Sequence, residues 1–138
     1  RGLGDVYKRQ DINLAKQMNI LLLDFGVKPE NILMDPLMAA LGMGLEYSYS
    51  VIERLRLAAL LGDPVLQMPM ICDCSCAWAA PESLEENPER GRPELRGIYW
   101  ETMTAYAAIV AGADVVIMRH PQAVAKLKAA LADLGGGS

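Results

Sequence analysis

Apolar positions recur at helical spacing in four stretches of the chain, and short continuous apolar runs lie between them. From Asp11 onward, Leu14, Met18, Leu21 and Phe25 follow at steps of four, three and four, which puts them on one face of a helix that Gly26 stops. Past the turn residues "KPEN", the run Ile32, Leu33, Met34 reads as a buried strand closed by Asp35 and Pro36. The stretch "GLEYSYSVIERLRLAALLGDP" carries Leu45, Tyr49, Ile52, Leu55 and Ala59 on one helical stripe, with Ser50 and Glu53 at capping-box spacing and Gly62 and Pro64 as the stop. "VLQMPMICD" is short and apolar, and predicts a second buried strand. Residues 80–97, rich in proline, glutamate and arginine, read as an exposed and mostly irregular insertion. A third helix sets Trp100, Met103, Ala107 and Val110 at helical spacing ahead of Gly112, and "ADVVIM" is the clearest strand of the chain. Pro121 opens a last helix, on which Val124, Leu127, Leu131 and Leu134 repeat.

Helix, strand, helix, strand, helix, strand, helix is the order expected of a parallel sheet covered by helices, so the fold class is α/β with about three parallel strands and four helices. In such folds the loops that leave the C-terminal ends of the strands carry the chemistry. The residues this rule places on one rim are Asp35, Asp73 with Cys74 and Cys76, and Arg119 with His120. Each has a structural reading beside a functional one. His120, the only histidine, precedes a helix-opening proline and suits a cap, Asp35 before Pro36 suits a turn, and Arg119 suits either solvent or an anion held at a helix N-terminus.

Composition narrows the function classes. With 52% hydrophobic and 22% charged residues, the 138-residue chain has the balance of one globular domain. A net charge of −4 and thirteen scattered Lys and Arg argue against a nucleic-acid partner, and an acidic surface fits a soluble cytoplasmic protein. The most apolar run, "YAAIVAGADVVIM", is broken by Gly112 and Asp114, so no membrane span is expected. The opening "RGLGDVYKRQ" lacks an initiating Met and resembles translated adapter sequence, so residues 1–10 read as a non-native leader, residues 11–134 as the domain and residues 135–138 as a tail or tag.

The three cysteines, Cys72, Cys74 and Cys76 in "MICDCSCAW", raise the question of a metal. In an extended strand, residues two apart are ~6.6 Å apart, whereas two thiolates on one zinc lie within about 4 Å of each other. Only a loop beginning near Asp73 lets Cys74 and Cys76 converge, with His120 as a third zinc ligand, and Cys72 then reads as a core thiol. An iron-sulfur cluster normally needs four thiolates, one more than the chain has. No glycine-rich dinucleotide loop, G-x-S-x-G elbow or H-E-x-x-H is present.

Residues 35–73, "DPLMAALGMGLEYSYSVIERLRLAALLGDPVLQMPMICD", followed by "AGADVVIMRHP" and preceded by "DINLAKQMNILLLDFGV", resemble the small, or delta, subunit of the corrinoid iron-sulfur protein of the acetyl-CoA decarbonylase/synthase system. The resemblance implies the C-terminal part of a (β/α)₈ barrel and a non-catalytic role. It implies a corrinoid shared with a large subunit, which also carries the iron-sulfur cluster. A pterin methyltransferase and acetyl-CoA synthase are the transient partners it implies, in the reductive acetyl-CoA pathway. Asp35, Asp73, Arg119 and His120 are then the rim candidates for cofactor contact. The competing reading is an enzyme, a pterin-dependent methyltransferase of the same barrel type that binds the pterin through Asp35 and Asp73.

Overall fold

The computed structural model describes residues 12–135; residues 1–11, which include the segment read from sequence as a leader, and residues 136–138 lie outside the described residues. The helices are α1 (Ile12–Asp24), α2 (Leu45–Leu60), the single turn α3 (Pro81–Leu84), α4 (Pro93–Ala111) and α5 (Pro121–Gly135). Two strands, β1 (Ile71–Asp73) and β2 (Val115–Ile117), pair in parallel with Ile71 opposite Val115 and Asp73 opposite Ile117. The apolar run at residues 32–34 contributes a single parallel bridge, Met34 to Met70, rather than a full third strand. The strand expected over "VLQMPMICD" is likewise shorter, because Pro64 opens a 3₁₀ turn (Pro64–Leu66) with the Asp63 carboxylate accepting from Val65 N–H. Proline has no N–H for a ladder and its fixed φ suits a turn.

Met70 is the node of the sheet. Pro69 and Ile71 on either side of it exchange hydrogen bonds with Met34, and its own carbonyl accepts from the N–H groups of Asp114 and Val115, both at 3.0 Å. Its N–H donates to Asp114 Oδ2 at 2.8 Å. Asp114 also pairs with Arg56 of α2, whose guanidinium donates to Gly112 O at 3.0 and 2.7 Å. These bonds fix α2, the end of α4 and both strands to one another.

The core lies on one side of this sheet, where Cys72 and Met70 meet Ile52 and Leu55 of α2, Ala105 and Ala108 of α4 and Leu127 of α5. Side chains alternate across a strand. On the opposite face Val115 and Ile117 are exposed, as is Leu33 beside them in the chain of the Met34 bridge.

Local expectations survive unevenly. Gly26 and Gly112 do end α1 and α4, each with positive φ, and Pro121 does open α5. The Ser50–Glu53 capping box does not form: α2 starts five residues earlier, at Leu45, because Gly44 takes a left-handed conformation at its N-cap. Residues 80–97 are less irregular than composition implied, since α3 forms there, α4 begins at Pro93, and Ser83 and Gly97 are buried. The stripe Leu14, Met18, Leu21, Phe25 is on one face, but that face is outward, with exposures from 41% to 85%. The inward face of α1 carries Ala15, Asn19 and Leu22, with Asn19 Nδ2 donating to Val65 O at 2.8 Å. On α4, too, Met103 and Val110 point out, while Ile98, Glu101, Ala105 and Ala108 point in.

Candidate functional site

The C-terminal ends of β1, β2 and the Met34 segment do share one edge. Met34 is level with Met70, so Asp35 is level with Ile71 and Asp73 lies two positions further along, about 7 Å in rise. The same parity puts both carboxylates on the face of Ile71, Val115 and Ile117, the uncovered one. Each carboxylate also organises its own turn. Asp35 Oδ1 accepts from Leu37 N at 2.9 Å, and Asp73 Oδ1 accepts from Ser75 N at 3.0 Å and Ser75 Oγ at 2.6 Å. The turn reading of Asp35 therefore holds, and each side chain keeps its second oxygen clear of that bond.

Arg119 and His120 belong to a second cluster. Glu101, the only charged residue between Gly97 and Ala111, is fully buried on α4. Its carboxylate accepts the backbone N–H of Arg119 through Oε1 and that of His120 through Oε2, the latter at 3.0 Å. His120 Nδ1 accepts from Gln122 N at 3.2 Å, which makes the histidine the cap of α5. The anion expected at this helix N-terminus is thus supplied by the chain itself, as Glu101, rather than by an outside phosphate or carboxylate held by Arg119. Trp78 completes the cluster. Its ring stacks on His120 with centroids 5.8 Å apart and planes at 28°, and the Arg119 guanidinium carbon lies 5.5 Å from its centroid. On another side the ring fills a notch at Gly97, where an added Cβ would collide with it. The loops after β1 and β2 are therefore keyed together through one aromatic ring. Glu101, Gly97 and Trp78 were not singled out from sequence, although a lone glutamate in an otherwise uncharged helix signals a buried carboxylate with N–H partners.

The cysteines lie beside both clusters, within electrostatic reach of Asp73 and Glu101. Cys72 and Cys74 are fully buried and Cys76 is partly exposed on the 3₁₀ segment Cys74–Ala79. Cys74 Sγ lies 3.7 Å from Cys72 O, and among the described residues no three His, Cys, Asp or Glu side chains converge as a metal set, so the Cys74, Cys76 and His120 triad is not assembled. Burial, reinforced by the charges of Asp35 and Asp114, pushes the Cys72 thiol up to about 12. Cys74 and Cys76 are raised as well, again chiefly by burial. Cys72 is the core thiol the strand geometry implied.

The family profile described as CO dehydrogenase/acetyl-CoA synthase delta subunit matches residues 5–134. The chain is 43% identical over 125 residues to the acetyl-CoA decarbonylase/synthase complex subunit delta of Methanosarcina mazei, covering 86% of this chain and 29% of that protein. It is 40% identical over 137 residues to the delta subunit of Archaeoglobus fulgidus, covering 94% of this chain and 30% of the relative. The delta subunit of Methanopyrus kandleri is 43% identical over 114 residues, with 83% and 28% covered. The chain belongs to the acetyl-CoA decarbonylase/synthase delta-subunit family. It spans somewhat under a third of the length of the relatives it matches.

The second oxygens of Asp35 and Asp73 can accept, and the Arg119 guanidinium can donate, hydrogen bonds to an outside polar group.

Replacing Glu101 by Ala leaves the Arg119 and His120 N–H groups without acceptors in a buried site. This should cost about 2–5 kcal/mol, read as a lower urea midpoint together with a change in Trp78 fluorescence as the stack loosens. The thiols predict an alkaline limit. A folded-state value raised above the ordinary thiol value of about 8.5 means that the thiols' contribution is whole below that pH and is lost as pH climbs toward about 12. Urea midpoints measured from pH 7 to 10.5 should fall more steeply for the native sequence than for a Cys72→Ala, Cys74→Ala double variant.

Proposed function

We propose that this chain is part of a non-catalytic barrel subunit that helps hold a corrinoid, shared with a large subunit, while a methyl group passes from a pterin methyltransferase to acetyl-CoA synthase. The observation that carries the reading is the delta-subunit match over residues 5–134. Its relatives are named as subunits of an acetyl-CoA decarbonylase/synthase complex. The rim chemistry supports a binding role, because Glu101 and His120 are engaged in holding backbone and Asp35 and Asp73 in shaping turns.

Barrel closure accounts for the apolar surface left open. Parallel sheets are found with both faces covered. Here helices cover one face, and a cavity of about 280 Å³ opens beside Leu14, Met18, Asn19, Leu33, Asp35 and Leu55 at the outer edge of the Met34 segment. Further βα units, entering the sheet beside Met34 and packing on the outward stripe of α1, would fill that cavity and bury Leu33, Val115 and Ile117 in a barrel interior.

Two measurements test these readings. In the barrel reading, Phe25→Ala is nearly neutral in the 138-residue chain, where the ring is 85% exposed, and costs about 2–4 kcal/mol in the full-length protein, where a neighbouring helix covers it. Equal small effects in both would remove the barrel. In the carrier reading, the full-length subunit alone transfers no methyl group from a methylpterin to free cobalamin, while the complex with its large subunit accepts one when the separate methyltransferase is added. Turnover by the subunit alone would instead establish the enzymatic alternative built on Asp35 and Asp73.

A further inference from the structure

A left-handed backbone conformation is costly for a bulky side chain, because its Cβ crowds the following carbonyl, and glycine avoids that cost. Among the described residues, Leu37 is the one non-glycine residue with positive φ, at 61°. It stands in the rim loop between the Met34 bridge and α2, two positions after Asp35. Its side chain is 44% exposed, so core packing does not offset the conformation. Such a residue persists only where the surrounding bonds over-determine it.

Those bonds fall into two sets. The far end of the loop is tied to the interior. Ser48 Oγ of α2 accepts from Ala39 N at 2.9 Å and donates to Leu37 O at 3.0 Å. On α4, Thr104 Oγ1 accepts from Leu41 N at 3.3 Å and Trp100 Nε1 donates to Leu41 O at 2.8 Å. Ser48 and Thr104 are fully buried. The near end is tied in solvent, by the 2.9 Å bond from Leu37 N to Asp35 Oδ1. A left-handed residue costs a factor of about 5–30 in a conformational equilibrium, and one hydrogen bond contributes, net of water, a factor of about the same size. The Ser48 and Asp35 bonds together outweigh the cost, but loss of the exposed one leaves the loop close to balance.

We propose that residues 35–39 form a two-position strap on the rim, latched by the Asp35 carboxylate. In the latched position Leu37 is left-handed and Asp35 Oδ1 is engaged inside the loop. In the unlatched position Leu37 returns to negative φ, its half-exposed side chain moves, and both Asp35 oxygens are open to an outside donor. The strap thereby couples the acceptor capacity of Asp35 to the place of an apolar group beside it. It follows from the loop alone, whichever molecule the rim holds.

Two substitutions in the full-length protein pull the strap in opposite directions. Asp35→Ala removes the latch and keeps the strain, so amide hydrogen exchange in residues 37–39 should quicken at least about threefold, while residues 41–44, held by Thr104 and Trp100, keep their rate. Leu37→Gly removes the strain and keeps the latch, so exchange in residues 37–39 should slow at least about threefold, although glycine ordinarily loosens a loop. Unchanged exchange in Asp35→Ala overturns the strap, and so does exchange that is unchanged or faster in Leu37→Gly. Where Asp35→Ala fails to fold, Leu37→Gly decides alone, since glycine adopts the observed φ without strain.

Discussion

The backbone pairing around Met70 is the constraint on which the rest of the chain is built. Three segments far apart in sequence run parallel there, Met34 on one side and Val115 on the other, with Asp114 closing the remaining donor. Parallel neighbours need crossover connections, and here the crossovers are α2 and α4. Both lie on the same side of the sheet, so the core forms there and the second face stays open, with Leu33, Val115 and Ile117 exposed beside Asp35 and Asp73 at its rim. Arg56 ties the arrangement from outside by bonding both Gly112 and Asp114, at the turn where α4 gives way to β2.

The distribution of side-chain size follows from that geometry. Between α4 and the sheet the contacts are made by Ala105, Ala108, Ala111, Cys72 and Cys74, small groups that let a helix lie close to a strand. Several larger apolar residues of α1 and α4, Leu14, Met18, Tyr99 and Met103 among them, lie on the outward faces, while Leu22 and Ile98 remain inside. A single small domain gains nothing from exposing Leu14, Phe25, Tyr99 and Met103, because apolar area left in water returns none of the roughly 25 cal/mol per Å² that burial yields. Such faces suit a larger protein, and the chain spans under a third of the length of the relatives it matches.

At the rim, a buried carboxylate substitutes for the ligand that a helix N-terminus would otherwise attract. Glu101 satisfies two N–H groups at the entry to α5, and the loop so fixed brings His120 and Arg119 onto Trp78. Gly97 makes room for the ring, so two rim loops share one rigid support. The polar groups left for an outside molecule are the free oxygens of Asp35 and Asp73 and the head of Arg119.

The sequence by itself determined the α/β alternation, the glycine stops at Gly26 and Gly112, the start of α5 at Pro121 and the family, because each depends on local backbone preference or on a long ordered run such as "GLEYSYSVIERLRLAAL". It also placed Asp35, Asp73, Arg119 and His120 at strand ends, a consequence of chain order in any parallel sheet. Tertiary structure decided which face of each helix is inside. Periodicity marks a stripe, but a helix with apolar residues on two faces offers two stripes, and only packing against the sheet selects between Leu14, Met18, Leu21 and Ala15, Asn19, Leu22. It likewise decided that Glu101 lies under His120 and that Trp78 lies on Gly97, since residues 18 or more positions apart meet only when β1, β2 and α4 are packed together.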